Sequence, residues 1–485
     1  MSISVDSFEF RRRWMKTRFP FQYGIASMTE LPHVFLQLSA RVEGEPSAGI
    51  ASEGLPPKWF TKDPHSRFEE DLPLMLEVLE NAVSTATEIG GADHLFGFWR
   101  ELYERQHAWA CERSVPPLLA HLGTALVERA LIDAYCRKRG VCFPEALRDN
   151  LFGIELGEIH PELAGSAPSD WLPAKPAGSL IARHTVGLGD PLTPGEINVE
   201  ERCHDGLPQA LSEAIERYGL THFKVKLCGR LEVDLPRLKA VAGLLGELVP
   251  EYRFTLDGNE QYADVGTFRE HWDAFRAEPE LAEFLSDKHL LFVEQAIHRD
   301  HALGDAVGEG MNAWPDAPPT IIDESDGDIS SLRHALQLGY RGTSHKNCKG
   351  VFKGIVNACL LEHLRRTRPD EGPWLLSGED LANVGPVALL NDLAVMAAIG
   401  IDHVERNGHH YFAGLSMYPG GLQSEVCHRH PDLYRRGQGD AFAALAIQAG
   451  RIGIGSVNSA PFGCGLPLSA DTLAGLGDPF EPGSG

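Results

Sequence analysis

Two lysines stand two positions apart in the segment HFKVKLCG, at Lys224 and Lys226, and a third, Lys346, follows in SHKNCKG. Three acids, Asp257, Glu294 and Asp323, close the short apolar runs of TLDGNEQY, FVEQ and IIDES that lie between them. Carboxylates crowded at one place repel each other unless a cation lies between them. Oxygen-only ligation with room for water and substrate suits Mg2+, and with no histidine at these positions a catalytic zinc fits poorly. On a strand, a spacing of two puts Lys224 and Lys226 on one face. A buried lysine is costly without a partner, and a cluster of acids supplies one. Like-charge repulsion between the two lysines is expected to lower their pKa toward service as bases near neutral pH. A carboxylate held by the cation, with an amine on either side, defines a reaction class. It is removal of the weakly acidic proton on the carbon next to that carboxylate, the ion stabilising the enediolate that forms.

Residues so far apart in the chain converge only if the elements carrying them share one mouth. From residue 179 onward, short apolar segments alternate with amphipathic ones. Strands are predicted over 180–186, 221–227, 253–257, 290–294, 320–323, 342–346, 374–377 and 402–405, and helices over 208–217, 235–248, 331–337, 351–366 and 386–398. Eight strands alternating with helices argue for a closed parallel (β/α) barrel of the TIM type, whose C-terminal strand ends form one mouth. The interval between Asp257 and Glu294 is long for one strand–helix unit, so an insertion is expected over 279–288. Residues 1–150 have a different texture. Residues 33–42 alternate as a strand, Gly44, Glu45 and Pro46 read as a turn, and 48–52 as the hairpin partner. Helical spacing recurs over 72–90 and 115–138. The expected organisation is an α+β capping domain over 1–150, a Pro- and Gly-rich linker over 151–178, the barrel over 179–459 and a tail over 460–485.

Taken together, the KVK strand (Lys224, Lys226), the TLDGNEQY strand (Asp257, Asn259), the FVEQ strand (Glu294), the IIDES strand (Asp323, Glu324) and the SHKNCKG strand (Lys346) resemble the enolase superfamily. The lysine pair with a lysine on the sixth strand resembles the mandelate racemase/muconate lactonizing enzyme proteins, within them the muconate lactonizing enzyme subgroup. That subgroup holds cycloisomerases, o-succinylbenzoate synthases and dipeptide epimerases. The resemblance implies that Lys226 and Lys346 are an acid/base pair and that Lys224 orients or neutralises the substrate carboxylate. It also implies that Asp257, Glu294 and Asp323 hold Mg2+, with Glu324 and Asn259 beside them. It further implies that the 1–150 unit closes the mouth and that the tail packs back toward it. The chain departs from the pattern where a glycine pair is common, reading NCKGVFKG. Lys349 and Lys353 therefore compete with Lys346, which is preferred because a helical pattern starts at Gly350. The eighth strand reads DHVERNGHHYFAGL and carries no Asp-x-Asp pair, which argues against a dipeptide epimerase.

Further residues stand near this mouth. Glu379 and Asp380 end the seventh strand, where they either pair with a catalytic lysine or cap the next helix. Glu405, Asn407, His409 and His410 follow the eighth, in supporting or surface positions. His184 ends the first strand beside Thr185 and is expected to hydrogen-bond in the mouth, whereas His345 is expected to point away because Lys346 points in. The cap segments 19–28 and 52–62 are the candidates to close the mouth, with Gln22, Tyr23, Lys58 and Trp59 as candidate substrate contacts, Trp59 and Phe60 reading equally well as packing.

The outcome expected first is racemisation or epimerisation of a carboxylic acid. The alternatives are a lyase or cycloisomerase using the same enediolate, and a non-catalytic binding scaffold. The chain has 485 residues, 43% hydrophobic and 23% charged, an ordinary globular composition. Its net charge of −24 argues against nucleic acid and anionic membranes as partners. Nine cysteines with no CxxC pair read as free thiols in a reducing cytoplasm. No apolar run is long enough to span a membrane, and the first residues do not read as a secretory signal. A small carboxylate-bearing substrate and a homo-oligomeric assembly complete the expectations.

Overall fold

The computed structural model describes residues 2–437 and 441–482. The chain opens with an antiparallel sheet of β1 (Ile3–Tyr23), β2 (Ala26–Val42) and β3 (Glu45–Gly54). The β2–β3 turn is Glu43–Gly44, both with positive φ (57° and 80°), so that Val42 pairs directly with Glu45. Two left-handed residues make the tight hairpin whose twist matches its strands. The turn therefore sits one residue earlier than its Gly-Glu-Pro composition suggests. Pro46 falls inside β3, at the sheet edge, where a missing N–H costs no ladder bond.

Three helices back this sheet: α1 (Phe68–Glu88), α2 (Leu95–Glu112) and α3 (Pro117–Arg139). Pro117 fits the first turn of α3, where its missing N–H is not needed. Gly140 ends the helix in the left-handed conformation. Almost every residue of α3 is buried, because β2 and β3, the helices α1 and α2, and the barrel segment after Lys346 surround it. Gly49 on β3 permits this approach: a Cβ there would collide with the backbone of Ala130 and Ala134. The polar side chains of α3 are spent on fixing neighbours. Glu128 accepts the backbone N–H groups of Val351 (2.9 Å) and Phe352 (2.6 Å), Arg129 pairs with Glu53 at 2.9 Å, and Asp133 accepts from Ile50 N at 2.9 Å.

Eight parallel strands follow: β4 (Ser179–Val186), β5 (His222–Lys226), β6 (Arg253–Asp257), β7 (Leu290–Glu294), β8 (Thr320–Ile321), β9 (Gly342–His345), β10 (Leu375–Gly378) and β11 (His403–Arg406). Each hydrogen-bonds to the next in chain order, β11 returns to β4, and an Ile322–Thr343 bridge joins β8 to β9. This is the parallel barrel that the alternation predicts. Helices at Leu211–Tyr218, Leu231–Leu248, Ser331–Gln337, Val351–Thr367 and Ala388–Ala398 overlap the five predicted from helical spacing. A 3-10 turn at Pro279–Leu281 occupies the long interval before β7. After the barrel, a helix at Ala470–Leu476 leads to Asp478–Pro479, which pairs with Arg12 and Arg11 of β1. Among the described residues no helix is long and apolar enough to cross a membrane.

Candidate active site

The inward faces of the barrel strands are polar to an unusual degree. Interiors of such barrels are normally filled by branched apolar side chains. Here Lys224 and Lys226 of β5, Asp257 of β6, Glu294 of β7, Glu379 after β10 and Glu405 of β11 are all buried. Strand register sets Lys226 beside Asp257 and Asp257 beside Glu294, so period two delivers all three to one level. Asp323 and Lys346 lie just past β8 and β9 and are equally buried.

Lys224 sits among four carboxylates. Its Nζ lies 3.0 Å from Asp257, 2.7 Å from Glu294, 2.6 Å from Glu379 and 3.2 Å from Glu405. Lys226 Nζ donates to Asp257 Oδ2 at 2.6 Å. Lys346 pairs closely with Asp323, which Lys349 also reaches at 3.1 Å. Gln295 completes the support of Asp323, its side-chain oxygen accepting from Asp323 N (2.7 Å) and Ser325 N (3.2 Å). Arg183 of β4 pairs with Glu379 from below, and Thr185 Oγ1 donates to Glu405 at 2.7 Å.

These pairings correct the expectation that the lysines depress one another. Burial does oppose the ammonium form of Lys224, but Asp257, Glu294, Glu379 and Glu405 hold it well above the usual lysine range. Asp323 likewise outweighs burial and raises Lys346. On the acid side the charges are unequal. Against burial, Lys346 and Lys349 hold Asp323 well below the carboxylate range, and Lys224 and Lys226 do the same for Glu405. Glu294 goes the other way, pushed well up by burial and by Asp257 and Glu379. Glu324 rises to about 7, from burial and from Glu260 and Asp323.

A narrow cavity opens over this cluster. Lys224, Lys226, Asp257, Asn259, Asp323, Lys346, Asp380, Glu405 and Asn407 line its polar end. Its other end is apolar: Phe21, Tyr23, Met28, Pro56 and Trp59 from the N-terminal unit, and Leu381 and Ala382 after β10. Tyr23 spends its hydroxyl on Pro57 O (2.7 Å), so it presents a ring to the cavity. Lys346 Nζ lies 4.8 Å from the Trp59 ring centre, within cation–π range.

Several expected residues lie elsewhere. Gln22 is exposed and faces away, since Phe21 and Tyr23 take the inward positions of β1. His184 points out of the barrel wall, because Arg183 and Thr185 point in; its Nδ1 meets His409 Nε2 at 3.1 Å, and its ring lies 4.7 Å from that of His410. Lys58 is engaged by Asp71 at 2.7 Å. His345 faces the helix behind it, against Gly354, as period two predicts. Of the competing lysines only Lys346 lines the cavity, while Lys349 lies beneath it on Asp323 and Lys353 on Asp326. Asp380 is a cavity wall that accepts from Asn383 N (2.9 Å) and Asn407 N (3.0 Å), and it does not cap the next helix, Ala388–Ala398, which starts with no side-chain cap. Glu379 takes the lysine-pairing role.

Sequence reading missed Gln295, Thr185, Leu381 and Ala382, and it did not single out Phe21, Met28 and Pro56 within the candidate cap segments 19–28 and 52–62. The alternation Phe19, Phe21, Tyr23 was a usable signal for the cap side. Leu381 and Ala382 carried none, Ala382 being placed by a left-handed backbone (φ 57°).

One clasp sets the position of Trp59. Glu260 takes both ends of the Arg299 guanidinium, at 2.6 and 2.8 Å, together with Lys62 at 2.8 Å. Burial works against this carboxylate, but Arg299 and Lys62 hold its pKa down to about 2. The same guanidinium donates to Trp59 O (2.8 Å) and Phe60 O (3.3 Å), tying the loop to the barrel. Arg299→Ala strands part of a buried charge and should cost roughly 3–5 kcal/mol. Urea unfolding of the variant checks this, and a loss under 1 kcal/mol would mean the clasp holds little.

The donor chemistry at the strand ends suits a hard divalent cation. All candidate ligand atoms are oxygens, from three adjacent strand ends, and Glu294 is an acid short of positive charge. Its Oε2 makes the ion pair with Lys224 without hydrogen-bond geometry, and Glu324 Oε2 and Asn259 Oδ1 also lack hydrogen-bond partners. The three carboxylates are nonetheless held apart by lysine ammoniums. Among the described residues the one group of three possible metal ligands lying within 4.8 Å of one another is elsewhere.

No protein-family model matches the chain, and no curated protein matches it by sequence. Solved structures do match along nearly its whole length. A muconate lactonizing enzyme from Pseudomonas fluorescens, complexed with muconolactone, is 16% identical with a TM-score of 0.56, the match covering 97% of this chain and 98% of that one. An N-succinyl Arg/Lys racemase from Bacillus cereus is 14% identical with a TM-score of 0.58, over 98% and 97%. A dipeptide epimerase from Methylococcus capsulatus, complexed with Mg and the dipeptide L-Arg-D-Lys, is 17% identical with a TM-score of 0.52, over 93% and 100%. The fold is therefore the one shared by these proteins, a parallel barrel preceded by an antiparallel sheet.

Proposed function

We propose that the protein is an enzyme that removes the proton next to a substrate carboxylate, with racemisation or epimerisation as the outcome. The observation that carries this reading is the pair of lysines on the cavity wall, Lys226 anchored by Asp257 and Lys346 by Asp323. An amine on either side of a planar carbon can take a proton from one face and return one to the other. Asp257, Glu294 and Asp323 would hold Mg2+, with Glu324 and Asn259 nearby. The ion, when bound, supplies positive charge beside the substrate carboxylate, where negative charge builds up as the proton leaves. Lys224, with its ammonium at the base of the cluster, keeps the acids from repelling one another and helps neutralise the substrate. The relatives named above act on or bind carboxylates, which supports the same class here.

The apolar end of the cavity narrows the substrate. Phe21, Tyr23, Met28, Pro56, Trp59 and Leu381 carry no charge to receive a charged distal group. A carboxylate with an aryl or branched aliphatic body fits better than a dipeptide with a charged side chain. The N-terminal unit, residues 1–150, acts as the cap that supplies this selectivity over a barrel at 179–459.

One observation favours a lyase or cycloisomerase instead. Lys346 stands between Asp323 and the Trp59 ring, surroundings that stabilise an ammonium rather than a free amine. In that reading Lys226 alone is the base. Incubation in deuterated water with Mg2+ and a panel of α-substituted carboxylic acids separates the two. A two-base isomerase exchanges the α-proton of both enantiomers, whereas a one-base lyase exchanges one. Absence of exchange with any member of an aryl- and aliphatic-carboxylate panel would overturn the proton-abstraction reading.

A further inference from the structure

Away from the barrel mouth, two histidines and an aspartate meet between the cap helices and the barrel. His107 lies on α2, His121 on α3, and Asp328 in the segment between β8 and the helix Ser331–Gln337. One nitrogen from each ring and one carboxylate oxygen of Asp328 lie within 4.8 Å of one another. His121 is buried, with Nδ1 3.2 Å from Thr124 Oγ1 and Nε2 without any partner. His107 Nδ1, 3.9 Å from Asp328 Oδ2, is also a buried atom without a hydrogen bond. Two orphaned imidazole nitrogens facing one carboxylate need an explanation, because buried polar atoms are nearly always satisfied.

The surroundings hold the three groups ready. The Tyr103 ring stacks on His121 at 3.7 Å, fixing its plane, and the Tyr103 hydroxyl donates to Asp328 Oδ2 at 3.1 Å. Ser330 satisfies the other oxygen of Asp328 through its backbone N–H (2.8 Å) and its hydroxyl (2.7 Å), leaving Oδ2 with spare capacity. The side chain of His107 is 40% exposed, which gives an ion a path in and a place for a water ligand.

We propose that His107, His121 and Asp328 form a binding site for a borderline divalent cation of the Zn2+ class, clipping the cap helices to the barrel segment that begins at Asp323. Two imidazoles, one carboxylate and one open position match the tetrahedral preference of Zn2+ or Co2+, and the nitrogens discriminate against Mg2+. Bonds of about 2.0–2.2 Å place tetrahedral ligand atoms roughly 3.4 Å apart, so a small turn of the exposed His107 ring closes the site. The clip secures the segment that carries Asp323 and Asp326, the latter holding Lys353 at 3.0 Å and Thr343 Oγ1 at 2.8 Å.

Co2+ is the probe. The full chain, stripped of metal and kept in excess Mg2+, is titrated with Co2+ while the visible absorption of four-coordinate cobalt and the melting temperature are followed. The expected result is one equivalent of Co2+ giving the intense four-coordinate band, a raised melting temperature, and loss of the band when Zn2+ is added. His107→Ala, at a partly exposed position that keeps the fold, should weaken Co2+ binding at least ~100-fold, the upper end of what losing a mere supporting partner costs. Asp328→Asn should weaken it as well, while Asp257→Asn, which strikes the proposed Mg2+ site, leaves the band intact. A protein that shows no four-coordinate band, because the two nitrogens merely share a trapped water, overturns the proposal. So do wild-type affinities in both His107→Ala and Asp328→Asn.

Discussion

Lys226→Ala and Lys346→Ala should each lose at least ~10²-fold in turnover, and up to ~10⁴-fold, the range that a positioned general acid or base contributes. Both variants should fold, because neither strands its acid. Without Lys226, Asp257 keeps Lys224 at 3.0 Å, and without Lys346, Asp323 keeps Lys349 at 3.1 Å. A loss of activity in these variants therefore reports chemistry rather than collapse, and circular dichroism with Mg2+-dependent melting verifies that. The two readings of the site then part company. If both lysines are bases, each variant loses α-proton exchange with a different enantiomer. If Lys346 is only an ammonium held by Asp323 and Trp59, Lys226→Ala ends all exchange and Lys346→Ala slows it without changing its stereochemistry. Lys349→Ala is the control, since Lys349 lies under the cavity floor. Full activity in Lys346→Ala with none in Lys349→Ala would transfer the role to Lys349, and full activity in both Lys226→Ala and Lys346→Ala would end the proton-transfer reading.

The barrel was legible because its signals are local and repeated. Apolar runs ending in a charged residue recur at several strands, and period two then states which residues share the interior, as for Lys224 with Lys226. The elements missed had their signals disguised. β1 carries RRRWMKTR along much of its length, since one face is solvated and its arginines reach over to the tail, as Arg13 does to Leu476 O at 2.7 Å. α2 begins at a histidine cap, with His94 Nδ1 accepting from Gly97 N, so the residue at the cap position is none of the usual Ser, Thr, Asp or Asn. Within the site, residue type and strand position told which groups converge, but not how they pair. The expectation that neighbouring lysines lower each other's pKa counted two like charges and omitted Glu379 and Glu405, which arrive from strands remote in the chain. Gln22 and His184 failed for a simpler reason, a phase error of one residue on a strand whose inward face only the packing decides.

The carboxylates themselves give the second large expectation. With Glu294 replaced by glutamine, the metal-free protein should melt close to the wild type. Glutamine keeps the shape of glutamate, Oε2 has no hydrogen bond to lose, and Lys224 retains Asp257, Glu379 and Glu405 as partners. Replacing an acid that is crowded by other acids removes repulsion along with attraction, so the two effects offset. The response to Mg2+ should differ completely. A ligand that binds only the folded chain stabilises it by about 2.7 kcal/mol at a hundredfold excess over its dissociation constant. The wild type should show such a rise in unfolding free energy as Mg2+ is added, and Glu294→Gln should show none at the same concentration. Asp323→Asn is the contrasting variant. It weakens the partner of both Lys346 and Lys349, so it should lower stability before any metal is added as well as blunt the Mg2+ response. Equal Mg2+ stabilisation in the wild type and in Glu294→Gln would place the cation elsewhere. A wild type indifferent to Mg2+ would leave the ammonium of Lys224 as the permanent counter-charge of these four acids, and the metal-assisted reading would fall while the lysine pair remained to be explained.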